Sequence, residues 1–205
     1  MRFIMIYVLF GHSAAGKTTL LNMLKSSYQI DVNIKATNRL SRDENDDVVS
    51  YRSVTDFIND KMYSPYIYSH GYADKDGSII YYGINKWQID MSLRYNRPHW
   101  LICSSIEMYN ALLDEYFPYT VLIYLSARFP KKRIINYMKQ RKFSETEDMR
   151  IRINSLAERK RDFASNRMLF DHIIVNNYKK TVNETQREIR RLVYLCIDIM
   201  KQYGD

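Results

Sequence analysis

Cysteine is scarce in this chain: only Cys103 and Cys196 occur among 205 residues. They lie far apart and form no C-x-x-C pair, so neither a disulfide framework nor a thiolate zinc site is expected. That usage suits a reducing cytoplasm. With 4 prolines and 6 glycines, no low-complexity linker divides the chain, and no internal repeat is present. No apolar stretch approaches the roughly 20 residues of a membrane span. Arg2, the apolar run behind it and the small residues Ser13 to Ala15 have the outline of a signal peptide. The run is at the short end of such signals, and cleavage after it would cut through a glycine loop, so secretion is not expected.

What is present fits one well-packed α/β domain. Hydrophobic residues make up 46% of the sequence, ordinary for a globular chain of this length. The formal net charge is +8, and it is unevenly spread. Between Lys131 and Arg167 there are 12 Lys or Arg against 5 Asp or Glu, so that stretch alone contributes +7. Such a stretch can close over a polyphosphate, bind RNA together with the 18 tyrosines, or form a solvated helix face. The solvated reading covers most of these side chains, and the first covers a few particular arginines. Much of the tyrosine lies in apolar segments such as "YTVLIYL", where packing explains it, so nucleic acid is not an expected partner.

The strongest local signal is "GHSAAGKT", Gly11 to Thr18, a G-x-x-x-x-G-K-T phosphate loop. Glycine at both ends lets the backbone turn its N–H groups inward around a polyphosphate. In this motif the lysine, Lys17, reaches the β and γ phosphates, and the hydroxyl of Thr18 ligates magnesium. Gly11, His12, Ser13, Ala14, Ala15, Gly16, Lys17, Thr18 and Thr19 are therefore the expected triphosphate-binding residues. The flanks agree. Phe3 to Phe10 is an unbroken apolar run, as expected of a strand buried on both faces of a parallel sheet. Thr18 to Leu24 reads as the first turns of a helix whose N-terminus points at the anion.

The rest alternates. Ile30 to Thr37 reads as a strand, "SVTD" at Ser53 to Asp56 caps a short helix to about Lys61, and Tyr63 to Tyr82 looks like strands and loops. Helices are expected over Asn85 to Arg94, Ile106 to Tyr116, Pro130 to Gln140 and from a Ser144–Glu147 capping box to about Ala164. Thr181 with Glu184 caps the last helix. Strands are expected at His99 to Ser104, Tyr119 to Leu125 and His172 to Asn177. This order predicts a parallel sheet covered by helices on both faces.

Taken together, the phosphate loop, "TNRLSR" (Thr37 to Arg42), "YYG" (Tyr81 to Gly83), "QRKFSETEDMRIRI" (Gln140 to Ile153) and "IIVNN" (Ile173 to Asn177) resemble the guanylate kinase family of nucleoside monophosphate kinases. The resemblance spans about Ile4 to Leu192. It implies a core of residues 1–35 and 84–205, an acceptor-binding region at 36–83 and a lid at about 141–150. It implies an ATP-dependent kinase using Mg2+. Arg39, Arg42 and Tyr82 match residues that grip the acceptor's phosphate, Arg141 and Arg152 match lid arginines that bracket the transferred group, and Asn176 matches an asparagine near the ATP adenine. Lys17, Arg39, Arg141 and Arg152 are thus the expected catalytic set. A guanidinium fork fits phosphate oxygens in pairs, which lysine cannot do.

The family's guanine-reading positions are altered here. They fall at Lys35, Ile84 and Val49, and a glutamate falls near Tyr68 beside the insertion "HGYADKDG"; the strand that would end in D-x-D reads "ICSS" at Ile102 to Ser105. Lys35 suggests a more anionic acceptor than GMP. Ribose 1,5-bisphosphate phosphokinases, which share the fold and accept a phosphosugar, are similar over "YYGINKWQIDMSL" and "LICSS". A noncatalytic guanylate kinase-like interaction domain is a third expectation, motivated by the lost carboxylates. A phosphate acceptor needs no general base, because its second pKa near 6 leaves the attacking oxygen anionic at neutral pH. A hydroxyl acceptor would need a carboxylate, with Asp43, Glu44 or Asp90 the candidates, and Glu107 is the candidate stand-in for the lost magnesium helper.

Overall fold

The computed structural model describes residues 5–39, 48–50, 53–63, 66–73, 77–103, 105–140, 147–177 and 182–204. Its centre is a parallel sheet in the order β2-β7-β1-β8-β9. The strands are β1 (Ile6–Phe10), β2 (Asp31–Val32), β7 (His99–Ile102), β8 (Thr120–Ala127) and β9 (His172–Asn176). Helices α1 (Lys17–Ser27), α3 (Lys86–Arg94), α4 (Ile106–Tyr116), α5 (Pro130–Gln140), α6 (Glu147–Ser165) and α7 (Val182–Tyr203) connect or flank them.

Every residue of β1 is buried, and the two-residue side-chain period of a strand splits them between two cores. Tyr7 and Leu9 pack with Leu20, Leu24, Trp100 and Cys196 under α1 and α7. Ile6, Val8 and Phe10 pack with Ile89, Met108, Leu112 and Phe170 under α3 and α4. This explains why the run is apolar without alternation. The cysteines belong to opposite faces and both are free. Burial pushes Cys103 up to about 11 and Cys196 up to about 12, so both are neutral thiols.

A second sheet, β4-β3-β6-β5, occupies the region between α1 and α3. It consists of β3 (Lys35–Thr37), β4 (Val48–Ser50), β5 (Tyr66–Ala73) and β6 (Ile79–Asn85). Helix α2 (Val54–Tyr63) begins where Ser53 Oγ accepts from Asp56 N at 3.1 Å. The single strand expected over Ile30 to Thr37 is corrected: Asp31–Val32 pairs with β7 in the central sheet, whereas Lys35–Thr37 pairs with β4 and β6 in the second. Asn33 N still donates to Trp100 O at 2.8 Å before the chain turns away, so continuous alternation conceals a change of sheet.

One buried network gives a pH-dependent stability. His99 Nδ1 lies 2.7 Å from Ser92 Oγ, which lies 2.9 Å from Asp31 Oδ2. Burial holds His99 down to about 4 from its ordinary 6.5, with the Asp31 charge opposing. The unfolded chain therefore takes the proton first, and stability is full above pH 6.5 and falls as pH drops toward 4. The loss is on the order of 3 kcal/mol for a shift of this size. His12 and His70 are lowered too, so the signature is the difference between wild type and His99→Asn in urea unfolding at pH 7 and pH 4.5. A His99→Asn protein with an unchanged pH slope would contradict this.

Candidate active site

The phosphate loop joins β1 to α1 through residues whose backbone is left-handed at two points, Ala14 (φ 58) and Gly16 (φ 97). Its carbonyls are tied by side chains. Lys17 Nζ donates to Gly11 O at 2.7 Å and to His12 O at 2.9 Å, and Asn176 Nδ2 donates to Ala15 O at 2.8 Å. The first turn of α1 carries no acidic residue, and its opening amides have no partner within the helix. Together these make a concave, electropositive end suited to an anion. His12 Nδ1 donates to the Ser13 carbonyl at 2.7 Å. Its burial, outweighing that hydrogen bond, lowers its pKa and keeps the ring neutral.

Beside the loop a cleft of about 130 Å³, partly open to solvent, is lined by Gly16, Thr19, Arg133, Asn176, Thr185 and Leu192 among others. Asn176 lines it, with its amide nitrogen committed to the loop carbonyl of Ala15. Arg133 was not among the expected site residues, yet its guanidinium comes within 3.6 Å of where a Cβ on Gly16 would stand.

Arg39 and Tyr82, which the resemblance assigns to the acceptor's phosphate, meet at the second sheet. Arg39 Nε donates to Tyr82 OH at 2.6 Å, with the guanidinium 5.8 Å from the ring centre. Three local bonds fix this pose. Arg39 N donates to Thr37 Oγ1 at 3.2 Å, while Asn38 Nδ2 donates to Ile79 O at 2.8 Å and Asn38 Oδ1 accepts from Tyr81 N at 2.7 Å. Asn38 is thus a positioning residue that spacing alone does not reveal. Below the pair, Lys35, Tyr68 and Ile84 line one pocket with His70 and Met108. Three of the positions that the resemblance assigns to guanine reading, Lys35, Tyr68 and Ile84, therefore share one pocket, and Tyr68 pairs directly with Ile84 in the β5–β6 ladder.

On α6, Arg159 places its guanidinium 5.9 Å from the Phe10 ring centre at the end of β1. It also reaches Asp162 at 3.4 Å. At the end of β7 the thiol of Cys103 donates to Ser105 O at 2.9 Å. Glu107, in the first turn of α4, is held below the usual carboxylate range by its own backbone amide and by Ser105. Asp90 accepts from Tyr116 OH at 2.7 Å and serves the α3–α4 contact. Arg42, Asp43, Glu44 and Arg141 lie outside the described residues, as do the side chains of Val49 and Arg152. Among the described residues, no three His, Cys, Asp or Glu side chains form a metal cage, and no helix is long and apolar enough to cross a membrane.

No protein-family model and no curated protein matches the chain. Solved structures do. The fold is similar to that of guanylate kinase from Anaplasma phagocytophilum, with a TM-score of 0.60 at 15% identity over 95% of this chain and 87% of that one. A gluconokinase from Sinorhizobium meliloti 1021 gives a TM-score of 0.47 at 13% identity, covering 98% and 99% of the two chains. The architecture, a parallel central sheet flanked by helices, is thus similar to that of the guanylate kinase.

Proposed function

We propose that this chain is an ATP-dependent phosphotransferase that moves the γ-phosphoryl group of ATP onto the phosphate of a small acceptor. The observation that carries the reading is the pairing of a phosphate loop with a separate arginine–tyrosine anion site. Arg159 stands at the end of β1, and its charge bears on His70 of the second sheet. In α/β sheets ligands meet at the carboxyl ends of the parallel strands, where β1 opens into the loop and β7 ends at Cys103.

Lys17 and the loop amides hold the triphosphate, Arg133 and Asn176 border the cleft for the nucleoside, and Arg39 with Tyr82 holds the acceptor phosphate. Thr18 supplies one hard hydroxyl oxygen in the first turn of α1, which fits a magnesium ion otherwise held by nucleotide phosphates and water. That ion, when bound, would neutralise charge on the triphosphate. Since the acceptor oxygen is already anionic, the residues need to align and neutralise rather than deprotonate. Arg141 and Arg152 are proposed to bracket the transferred group.

A nucleoside monophosphate is the acceptor that the family resemblance implies. Lys35, Tyr68 and Ile84 in the pocket favour a phosphosugar as a second reading. ADP release with Mg-ATP and a panel of both acceptor classes tests the proposal. Arg39→Ala should raise KM for the acceptor about tenfold or more, the worth of one charge-assisted hydrogen bond or two, while KM for ATP stays put. A rise confined to ATP would refute the placement of the acceptor.

A further inference from the structure

Behind the phosphate loop, the Asn176 amide holds Ala15 O. The N–H of Gly16 is the other end of that planar peptide unit and faces opposite to the carbonyl, so whatever fixes Asn176 fixes an amide of the loop. The backbone on both sides of Asn176 is tied by two residues of α7. Arg191 Nη2 donates to Val175 O at 2.6 Å, and Glu188 Oε1 accepts from Asn177 N at 2.8 Å. Asn176 O accepts in turn from Arg128 N at 3.1 Å. Both peptide planes that meet at the Asn176 Cα are therefore held, which sets the direction in which its side chain leaves the chain. Glu188 and Arg191 also clasp each other, with Arg191 Nη2 donating to Oε1 at 2.6 Å and Nε donating to Oε2 at 3.0 Å, the two-pronged geometry of a strong pair. Oε1 thus serves Asn177 N and Arg191 together.

Glu188 is out of keeping with its place in α7. It is 7% exposed, and the other buried residues among those described in the helix are Leu192, Val193, Cys196, Ile199 and Met200. A leucine at 188 would extend that apolar stripe, and a buried ion pair is commonly no more stabilising than the hydrophobic residues that could replace it. Packing therefore does not account for a carboxylate here, whereas the hydrogen bond to Asn177 N does. Resting on the reading of the loop as the triphosphate site, we propose that Glu188, clamped by Arg191, is a positioning residue for the donor nucleotide. It acts through Asn176. By holding that residue's backbone it keeps Ala15 O turned aside and the Gly16 amide set before the nucleotide arrives, so that binding does not have to order the loop.

Two substitutions separate positioning from packing. Glu188→Gln keeps an Oε1 for both Asn177 N and Arg191 Nη2, and gives up only the 3.0 Å contact to a guanidinium whose side chain is 44% exposed. Glu188→Leu fills the same space and offers no acceptor. Titration calorimetry with magnesium and a nonhydrolysable ATP analogue should find Glu188→Leu at least about tenfold weaker than wild type and Glu188→Gln within about threefold. In urea, Glu188→Leu should unfold at no lower a midpoint than Glu188→Gln. Asn176→Ala should weaken the analogue to a similar extent, and adding Glu188→Leu to it should cost less than about a further threefold, because the two residues act in series. Analogue affinity of Glu188→Leu within about threefold of wild type, equal losses in the glutamine and leucine variants, or losses that multiply in the double variant would overturn the positioning role. Each of those leaves the phosphotransfer reading standing, since wild type still binds the analogue. A wild-type protein that does not bind it removes the ground beneath both.

Discussion

Replacing Lys17 by alanine should lower single-turnover phosphoryl transfer by roughly 10²–10³-fold, the scale of losing one preorganised donor to developing charge. The side chain already lies over the loop, donating to Gly11 O and His12 O. Both carbonyls belong to the segment that would wrap the phosphates, so the ammonium needs only to exchange these partners for phosphate oxygens. Those two bonds are partly buried, and losing them should cost only about 1–2 kcal/mol of stability. The variant therefore stays folded while transfer fails. Quenched-flow measurement of ADP formation, paired with urea unfolding, separates the two effects. Turnover within a few-fold of wild type would contradict the assignment of the lysine.

Gly11→Ala should be the most damaging single methyl in the molecule. A Cβ there would stand 2.3 Å from Leu125 O, a backbone atom of β8 that is locked in the central sheet. No rotamer relieves that overlap, so the loop or the strand must move, and a loss of about 3 kcal/mol or more is expected from such overpacking. Gly77 provides the control. Its φ is +81, yet a Cβ would meet nothing within 4 Å, so Gly77→Ala should cost only the ~1–2 kcal/mol of left-handed strain. Gly16→Ala is intermediate in kind, because its Cβ would stand 2.9 Å from the Asn176 amide. Displacing that side chain frees Ala15 O and should weaken nucleotide binding more than stability. Chemical unfolding of the three variants, with ATP-analogue titration, checks the order. Equal stability of Gly11→Ala and Gly77→Ala would show that the strand–loop contact does not constrain the fold.

The readable features are those encoded within contiguous segments. β1, the loop and α1 follow from an apolar run, two glycines and a helix start, all within residues 6–27. The cap at Ser53 falls where expected, accepting from Asp56 N, whereas Asn85, read as the first residue of a helix, stands just before it and caps it by accepting from Trp87 N. The second sheet was not legible strand by strand, because its central pairing joins Ala36 to Gly83 and nothing local records that register. Its aromatic packing, Phe57 stacked on Tyr66 and Tyr81, depends on the same long-range pairing. Arg133 and Arg159 lay inside a basic stretch whose excess was evident, but net charge does not say which arginine turns inward. His70 sits in an insertion that displaces the family pattern, so only the structure brings it beside Lys35. Arg39 and Tyr82, separated by 43 positions, are brought to 2.6 Å, which joins two motifs that the sequence presents apart.

The most direct test of transfer from the loop to a phosphate acceptor is ³¹P NMR of the intact protein with Mg-ATP and each candidate acceptor. The account predicts loss of the ATP γ signal together with new, mutually coupled resonances of a phosphoanhydride on the acceptor, absent in the Lys17→Ala protein. Growth of inorganic phosphate alone, or of an uncoupled phosphate ester, would contradict it.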